Sequence, residues 1–238
     1  ATRALELDNS LAEAHTTVAF ASYAMWNWDK AEQEFKTAFS LNPNYPTAYH
    51  WYSILLHALG RHEEAFKAIK RAQELDPLSP VIGLNVAGAY SFEGNYEKAI
   101  QGTDAVLAID STFSPAYYRK TAPYLKLGKK QEAYIAASKG VEVSGRSAEA
   151  LSFLGYCSGL IGKRDEALKI VKELEQRYAV QTSSGYYIAR VYAGIGDSNG
   201  IFKWLHVDLE NHSCSLIWLN QDPEWDPYKS DPRFLDIL

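Results

Sequence analysis

Five glycines follow one another at a constant interval of 34 residues along this chain. They are Gly60, Gly94, Gly128, Gly162 and Gly196. Trp26 occupies the same position one interval earlier, and an alanine lies five residues after every position except the last, where Ile201 stands. A fixed period of roughly twenty to fifty residues is typical of stacked-repeat proteins. The interval therefore predicts an array of similar repeats in place of one closed globular core.

Each repeat is predicted to contain two helices joined by a tight turn. In the clearest copy, 46–79, small and apolar residues recur at helical spacing on both sides of Gly60. They are Tyr49, Tyr52, Ser53 and Leu56 before the glycine, and Ala65, Ile69, Ala72 and Leu75 after it. Pro46 suits the first turn of a helix, and Gly60 suits the left-handed position that ends one. The predicted fold class is all-α.

The same pattern predicts six consecutive repeats, the last of them degenerate. Their expected ranges are 12–45, 46–79, 80–113, 114–147, 148–181 and 182–215. Residues 1–11 are expected to be the end of a truncated preceding helix, and 216–238 to form an aromatic C-terminal cap rich in Asp-Pro pairs. Pro123 falls inside the first helix of the fourth repeat, so that helix is expected to kink or to begin late.

Charge and composition argue against several classes of function. The chain has 24 basic and 29 acidic residues, a net charge of −5, and no basic stripe, which disfavours nucleic-acid binding. It has no run of about eighteen apolar residues, so no membrane span is predicted. Cys157 and Cys214 lack the spacing of a zinc site or a disulfide framework. His50 and His57 would lie about 10.5 Å apart along a helix, too far to share a metal. No catalytic residue, metal site or cofactor is predicted.

The repeats resemble the tetratricopeptide repeat family over nearly the whole chain, from the partial copy at its start to about Ser215. The small residue that this family uses to pack its two helices closely falls at Ala19, Ser53, Ala87, Thr121, Gly155 and Ala189. The closing proline of the repeat is present at Pro43 and Pro77. This resemblance implies a right-handed superhelical solenoid of helix-turn-helix repeats, in which the first helices line the concave side.

The inward positions of the first helices would then form a groove for a peptide or protein segment. They are Phe20, Tyr23, His50, Ile54, His57, Phe92, Tyr118, Lys126, Tyr156, Tyr186 and Arg190, with Asn85 and Arg119 at the edge of the groove. Aromatic side chains with a few Arg and Lys residues are favoured in peptide recognition. The alternative for each aromatic residue is packing between neighbouring first helices, with no part in binding.

The leading functional hypothesis is a non-enzymatic scaffold that binds a protein or peptide partner. The final run, DPEWDPYKSDPRFLDIL, resembles the end of repeat regions in multidomain bacterial signalling and transcriptional regulators. It implies the regulatory or sensor part of such a protein, cytoplasmic, or periplasmic if the parent has an upstream membrane span. One alternative is homodimerisation through exposed repeat ends, with Ala1, Ala4 and Leu5 at the interface. An enzyme is the other alternative.

Overall fold

The computed structural model describes Leu5 and residues 7–238, which divide into two compact units, Ala1–Glu93 and Gly94–Leu238. The secondary structure of the described residues is helical, with no strand. The helices of the N-terminal unit are α1 (Ala12–Ala24), α2 (Trp28–Leu41), α3 (Pro46–Ala58), α4 (His62–Leu75) and α5 (Pro80–Phe92). Of the predicted dimerisation face, Ala1 and Ala4 lie outside the described residues, as does much of the predicted truncated helix.

The C-terminal unit continues the pattern of alternating helices and then changes character. Its helices are α6 (Tyr96–Ile109), α7 (Pro115–Tyr118), α8 (Thr121–Lys126), α9 (Lys130–Val143), α10 (Ala148–Leu160), α11 (Arg164–Ala179), α12 (Gly185–Ile195) and α13 (Ser198–Glu210). Two 3-10 helices follow, η1 (Cys214–Trp218) and η2 (Pro223–Tyr228), and then the single turn α14 (Pro232–Leu235). The fold class is all-α, as predicted.

Helix pairs in the N-terminal unit close on small residues. Ala31 in α2 and Ala65 in α4, which belong to the periodic alanines, are both fully buried. Ala65 packs with Leu56 from α3, and farther along α4 the buried Ile69 packs against α5 at Val86. Burial of one face of each helix in this way gives most of its stability, because an isolated helix of this length is marginal in water.

Small residues allow an even closer approach between two first helices of the C-terminal unit. A Cβ atom built on Gly159 of α10 would lie 2.3 Å from the carbonyl carbon of Gly194 in α12. One built on Gly194 would lie 2.3 Å from the carbonyl oxygen of Tyr156. Two first helices thus touch at their backbones, an approach that only glycine permits.

The periodic glycines end the first helices, as predicted. Gly60 and its equivalents have positive φ angles, for example 74° at Gly60 and 74° at Gly128. Trp26, which takes the same position in the first repeat, also has a positive φ of 60° although it carries a side chain. The turn geometry therefore belongs to the repeat, and glycine is the residue that adopts it without steric strain.

Pro123 interrupts the first helix of the fourth repeat, which confirms that expectation. The helix is divided into α7, which ends at Tyr118, and α8, which begins at Thr121. Proline has no N–H to donate to the carbonyl of Arg119, four residues earlier, so the hydrogen-bond ladder is broken there. The break precedes Lys126, which lies at the end of α8.

Two glycine-to-alanine substitutions should have opposite effects on stability. Neither added Cβ would meet another atom within 4 Å, so packing is unchanged at both sites. Gly128→Ala forces a left-handed conformation on an L-residue and should lower the free energy of unfolding by about 1 kcal/mol. Gly88→Ala, within α5, should raise it by about 0.5 to 1 kcal/mol. Urea unfolding measures both changes, and equal signs would refute the backbone explanation.

Candidate peptide-binding faces

The inward positions of the N-terminal unit bring together an aromatic surface, which we call the N-terminal face. Phe20 from α1 lies 4.5 Å from the ring of Trp51 in α3 and 5.6 Å from Tyr23, measured between ring centroids. Tyr23 is buried, whereas Phe20, Trp51 and Ile54 are partly exposed. Trp51 was not among the predicted site residues, although its place in a first helix beside His50 is visible in the sequence.

His50 and Asn85, both predicted site residues, form a bonded pair on this face. The Asn85 amide donates to Nε2 of His50 at 3.0 Å and to the carbonyl of Val81 at 2.8 Å. Burial lowers the pKa of His50 from 6.5 to about 4. At neutral pH the imidazole is therefore uncharged and accepts a hydrogen bond, which fixes the Asn85 side chain.

A pair of histidines lies between the end of α3 and the start of α4. The Nδ1 atoms of His57 and His62 are 3.1 Å apart, and both rings stack on Phe92, with centroids 4.5 and 4.7 Å away. Burial, and then repulsion by His62, lower the pKa of His57 to about 4. Its buried Nε2 has no hydrogen-bond partner among the described residues. Phe92 is 36% exposed, so this stack presents an apolar ring edged by neutral imidazoles to the surface.

The inward positions of the C-terminal unit form a different surface, the C-terminal face. Tyr118 is buried, stacks on Phe153 with centroids 5.1 Å apart, and donates its hydroxyl hydrogen to Glu149 at 3.0 Å. Arg119 is exposed and lies 4.0 Å from the same carboxylate. The packing alternative considered for each aromatic residue therefore describes Tyr118, while Arg119 stays accessible to solvent.

Arg190 is buried beneath the chain's own C-terminal segment, by which we mean residues 222–228. Its guanidinium donates to Asp222 at 2.9 Å, to Glu224, and to the hydroxyl of Ser152 at 3.1 Å. The same group lies 4.2 Å from the ring centroid of Phe153. Burial raises the pKa of Glu224, while attraction to Arg190 acts in the opposite direction.

Tyr186 is covered by the same segment. Its hydroxyl donates to Asp222 at 2.6 Å and accepts a bond from the indole N–H of Trp225 at 2.7 Å. The two rings meet edge to face, with centroids 5.3 Å apart, and Trp225 is fully buried. Tyr186 and Arg190, which were expected to face a partner, thus contact residues of this chain instead.

The segment reaches across to α8. Lys126 Nζ donates to Asp226 at 2.9 Å, and Lys229 binds the other oxygen of that carboxylate at 2.8 Å. Beside this contact a cavity of about 160 Å³ remains between the segment and the helices. Its walls include Leu125, Tyr156 and Pro223. Residues within the predicted cap therefore contact first helices that lie earlier in the chain, including α8 and α12.

The part of the chain that the structure describes contains neither a candidate metal site nor a candidate membrane span. No group of three or more His, Cys, Asp or Glu side chains there is placed to hold a metal ion. In the same residues, no helix has the length and apolar character needed to cross a membrane.

Comparison with known proteins identifies the class of this fold. Two solved structures are similar over most of their length: a thermophilic tetratricopeptide repeat protein of Thermus thermophilus, and PilF of Pseudomonas aeruginosa. The first has a TM-score of 0.68 at 18% identity, covering 78% of this chain and 99% of that one. The second has a TM-score of 0.60 at 12% identity, covering 94% and 98%. The chain is therefore an all-α repeat solenoid.

The family of the repeat follows from sequence. Residues 46–77 match the tetratricopeptide repeat family. A stretch of 79 residues is 40% identical to Small glutamine-rich tetratricopeptide repeat-containing protein 2 of Mycosarcoma maydis, covering 33% of this chain and 22% of that protein. The chain spans between 12% and 22% of the length of the curated relatives it matches. It contains a tetratricopeptide repeat and has the fold of such proteins, which generally act as protein-interaction scaffolds.

Stability should depend on pH through the buried histidines. In the unfolded chain, the imidazoles of His50 and His57 bind protons near pH 6.5. In the folded protein they bind protons only near pH 4. The free energy of unfolding therefore falls as the pH drops from 7 towards 4. His50→Gln removes one such group and should reduce the loss between pH 7 and pH 5 by about 2 kcal/mol, measured by urea unfolding at both pH values.

Gln101→Asn, at an exposed position without a titratable side chain, provides the control for this measurement. It should leave the pH dependence as it is in the wild type. Burial lowers the pKa of His15, but its bond to Glu34 outweighs this and raises it, which adds a term of opposite sign. That term is common to all three proteins and cancels in the comparison. An unchanged slope in His50→Gln would show that His50 is already protonated in the folded protein at pH 5.

Proposed function

We propose that this chain is a scaffold that binds peptide segments of partner proteins on the inward sides of its first helices. The observation that carries the proposal is the C-terminal segment, which lies on the C-terminal face and is bound there by Tyr186, Arg190 and Lys126. A short stretch of polypeptide on that surface is the kind of ligand the proposed function requires.

The N-terminal face supports the proposal through its composition. Phe20, Trp51 and Phe92 present partly exposed rings that are held by stacking against neighbours. Large rings with few rotatable bonds lose little entropy on binding, which is why they are enriched at interaction hot spots. His50 and Asn85 add hydrogen-bonding groups in a fixed geometry. Such a preorganised surface binds extended segments with little rearrangement.

The scaffold serves as the regulatory or sensor part of a larger bacterial signalling protein. The support for this part of the proposal is the resemblance of the final run of sequence to the ends of repeat regions in such proteins. In that role, the array would convert binding of a partner into a signal read by another domain.

Binding at the N-terminal face can be tested with peptides that are selected on the protein itself. Peptides selected from a displayed random library on the full chain would be measured by isothermal titration. The double variant Phe20→Ala, Phe92→Ala should weaken peptides that bind this face by at least tenfold, because truncating two aromatic anchors removes about 1 kcal/mol or more each.

Leu41→Ala is the matched control for this test. Leu41 is a large apolar residue, 40% exposed, at the end of a second helix in the same unit. Its truncation should leave affinity within twofold of the wild type. Selected peptides that bind the double variant as tightly as the wild type would refute this face as the site, and a library that yields no binder would count against the function itself.

A further inference from the structure

Three acidic side chains alternate along the C-terminal segment, at Asp222, Glu224 and Asp226. Arg190 in α12 binds the first two, and Lys126 in α8 binds the third. The positive groups of the C-terminal face thus match the spacing of negative groups along a short peptide. This match is between side chains, so a peptide of the same chemistry from another protein could make it equally well.

An aromatic anchor lies between the acidic side chains. Trp225 is fully buried and donates its indole N–H to Tyr186, while its backbone N–H bonds locally to the carbonyl of Asp222. The segment therefore closes its own turn and uses its side chains to contact the helices. A buried Trp with a paired donor, surrounded by charged contacts, is the typical composition of a binding hot spot.

The segment fits this surface incompletely. The cavity of about 160 Å³ beside it is lined by Leu125, Phe153 and Tyr156 on the helix side, with Lys126 also contributing, and by Pro223 and Glu224 on the segment side. No side chain of the segment fills this space. A ligand that placed an apolar side chain there would bury surface that the chain's own segment leaves unburied.

The ion pair that holds the segment is also a weak source of net stability. Arg190 and Glu224 are both buried, and removing two charges from water offsets much of their mutual attraction. The exposed pair between Lys126 and Asp226 adds little, because solvent screens it. Removing one carboxylate of the buried pair would leave the Arg190 charge without a partner, so this site discriminates strongly against segments that lack the acidic side chain.

We propose that the C-terminal face is a recognition site for acidic aromatic segments of a partner protein, and that residues 222–228 occupy it until such a segment displaces them. The partner segment carries acidic side chains on both sides of a Trp, and a further apolar side chain that enters the cavity beside Phe153. This inference rests on the proposed function, because it gives one of the two faces a defined class of ligand.

The test uses a fluorescein-labelled peptide with the sequence of residues 219–230, titrated against the full-length chain by fluorescence anisotropy. In the wild type, the attached segment competes at a high effective concentration and weakens binding of the peptide. The nearly isosteric variant Glu224→Gln, Asp226→Asn loosens the attached segment. It should bind the peptide at least tenfold more tightly than the wild type does.

Two further variants test whether the change in affinity comes from the proposed contacts. Asp231→Asn alters an acidic residue of the same region whose carboxylate binds Arg233, so it should behave as the wild type does. Adding Lys126→Glu to the loosened variant should lower its affinity for the peptide by at least fivefold. Equal binding to wild type and loosened variant, no binding to either, or binding that Lys126→Glu leaves unchanged would each overturn the proposal.

Native-state hydrogen exchange tests displacement in the unmodified chain. Amides of the segment should exchange at least tenfold faster than those in the middle of α12, because the segment opens without unfolding of the helices. Equal exchange rates for the amides of the segment and those of α12 would mean that the segment is a fixed part of the fold. That result would overturn the proposal. A wild-type dimer in light scattering that the loosened variant abolishes would also overturn it, in favour of exchange between copies.

The two binding tests fail independently. Peptides selected on the N-terminal face report on Phe20 and Phe92, and their affinity does not involve the C-terminal segment. If they bind while the 219–230 peptide does not, the proposed function stands and the displacement mechanism fails. If no library peptide binds but the 219–230 peptide does, the proposal of a general peptide-binding scaffold fails, and recognition is limited to the C-terminal face.

Discussion

Each repeat of this protein depends on the close approach of two helices, and that approach depends on small side chains at fixed positions. Ala31, Ala65, Ala133 and Ala167 are fully buried at equivalent places in four second helices. Larger side chains there would push the paired helices apart and open voids along their contact, with a loss of dispersion contacts throughout the pair. Between neighbouring repeats, the first helices α10 and α12 approach until their backbones touch, at Gly159 and Gly194.

This dependence explains why the fold was predictable from the sequence. A constraint repeated every 34 residues leaves a periodic signal, and the positive φ at the end of each first helix leaves a second one in glycine. Trp26 shows that the backbone turn persists without glycine, so the period is more informative than any one residue. The break at Pro123 was predictable for a local reason, since proline removes one defined hydrogen bond.

The position of residues 222–228 was not predictable in the same way. Their partners lie far away in the sequence, since Asp226 is 100 positions after Lys126 and Glu224 is 34 positions after Arg190. Each of these contacts occurs only once, so it produces no periodic pattern in the sequence. The sequence indicated that the aromatic tail is ordered and that Tyr186 and Arg190 face inward, but nothing in it connected the two. A buried Arg needs a carboxylate partner, but the burial of Arg190 is visible only in the structure.

The two faces differ in their charge. On the N-terminal face, burial keeps His50 and His57 neutral at physiological pH, so the surface offers rings and hydrogen-bonding groups without a fixed charge. On the C-terminal face, Arg190 and Lys126 form ion pairs with carboxylates. A ligand rich in acidic residues gains from the second face and finds no counter-charge among the imidazoles of the first. Both faces are formed by repeats of the same type, yet they select ligands of different chemistry. The difference arises from side chains at positions that the repeat pattern does not fix.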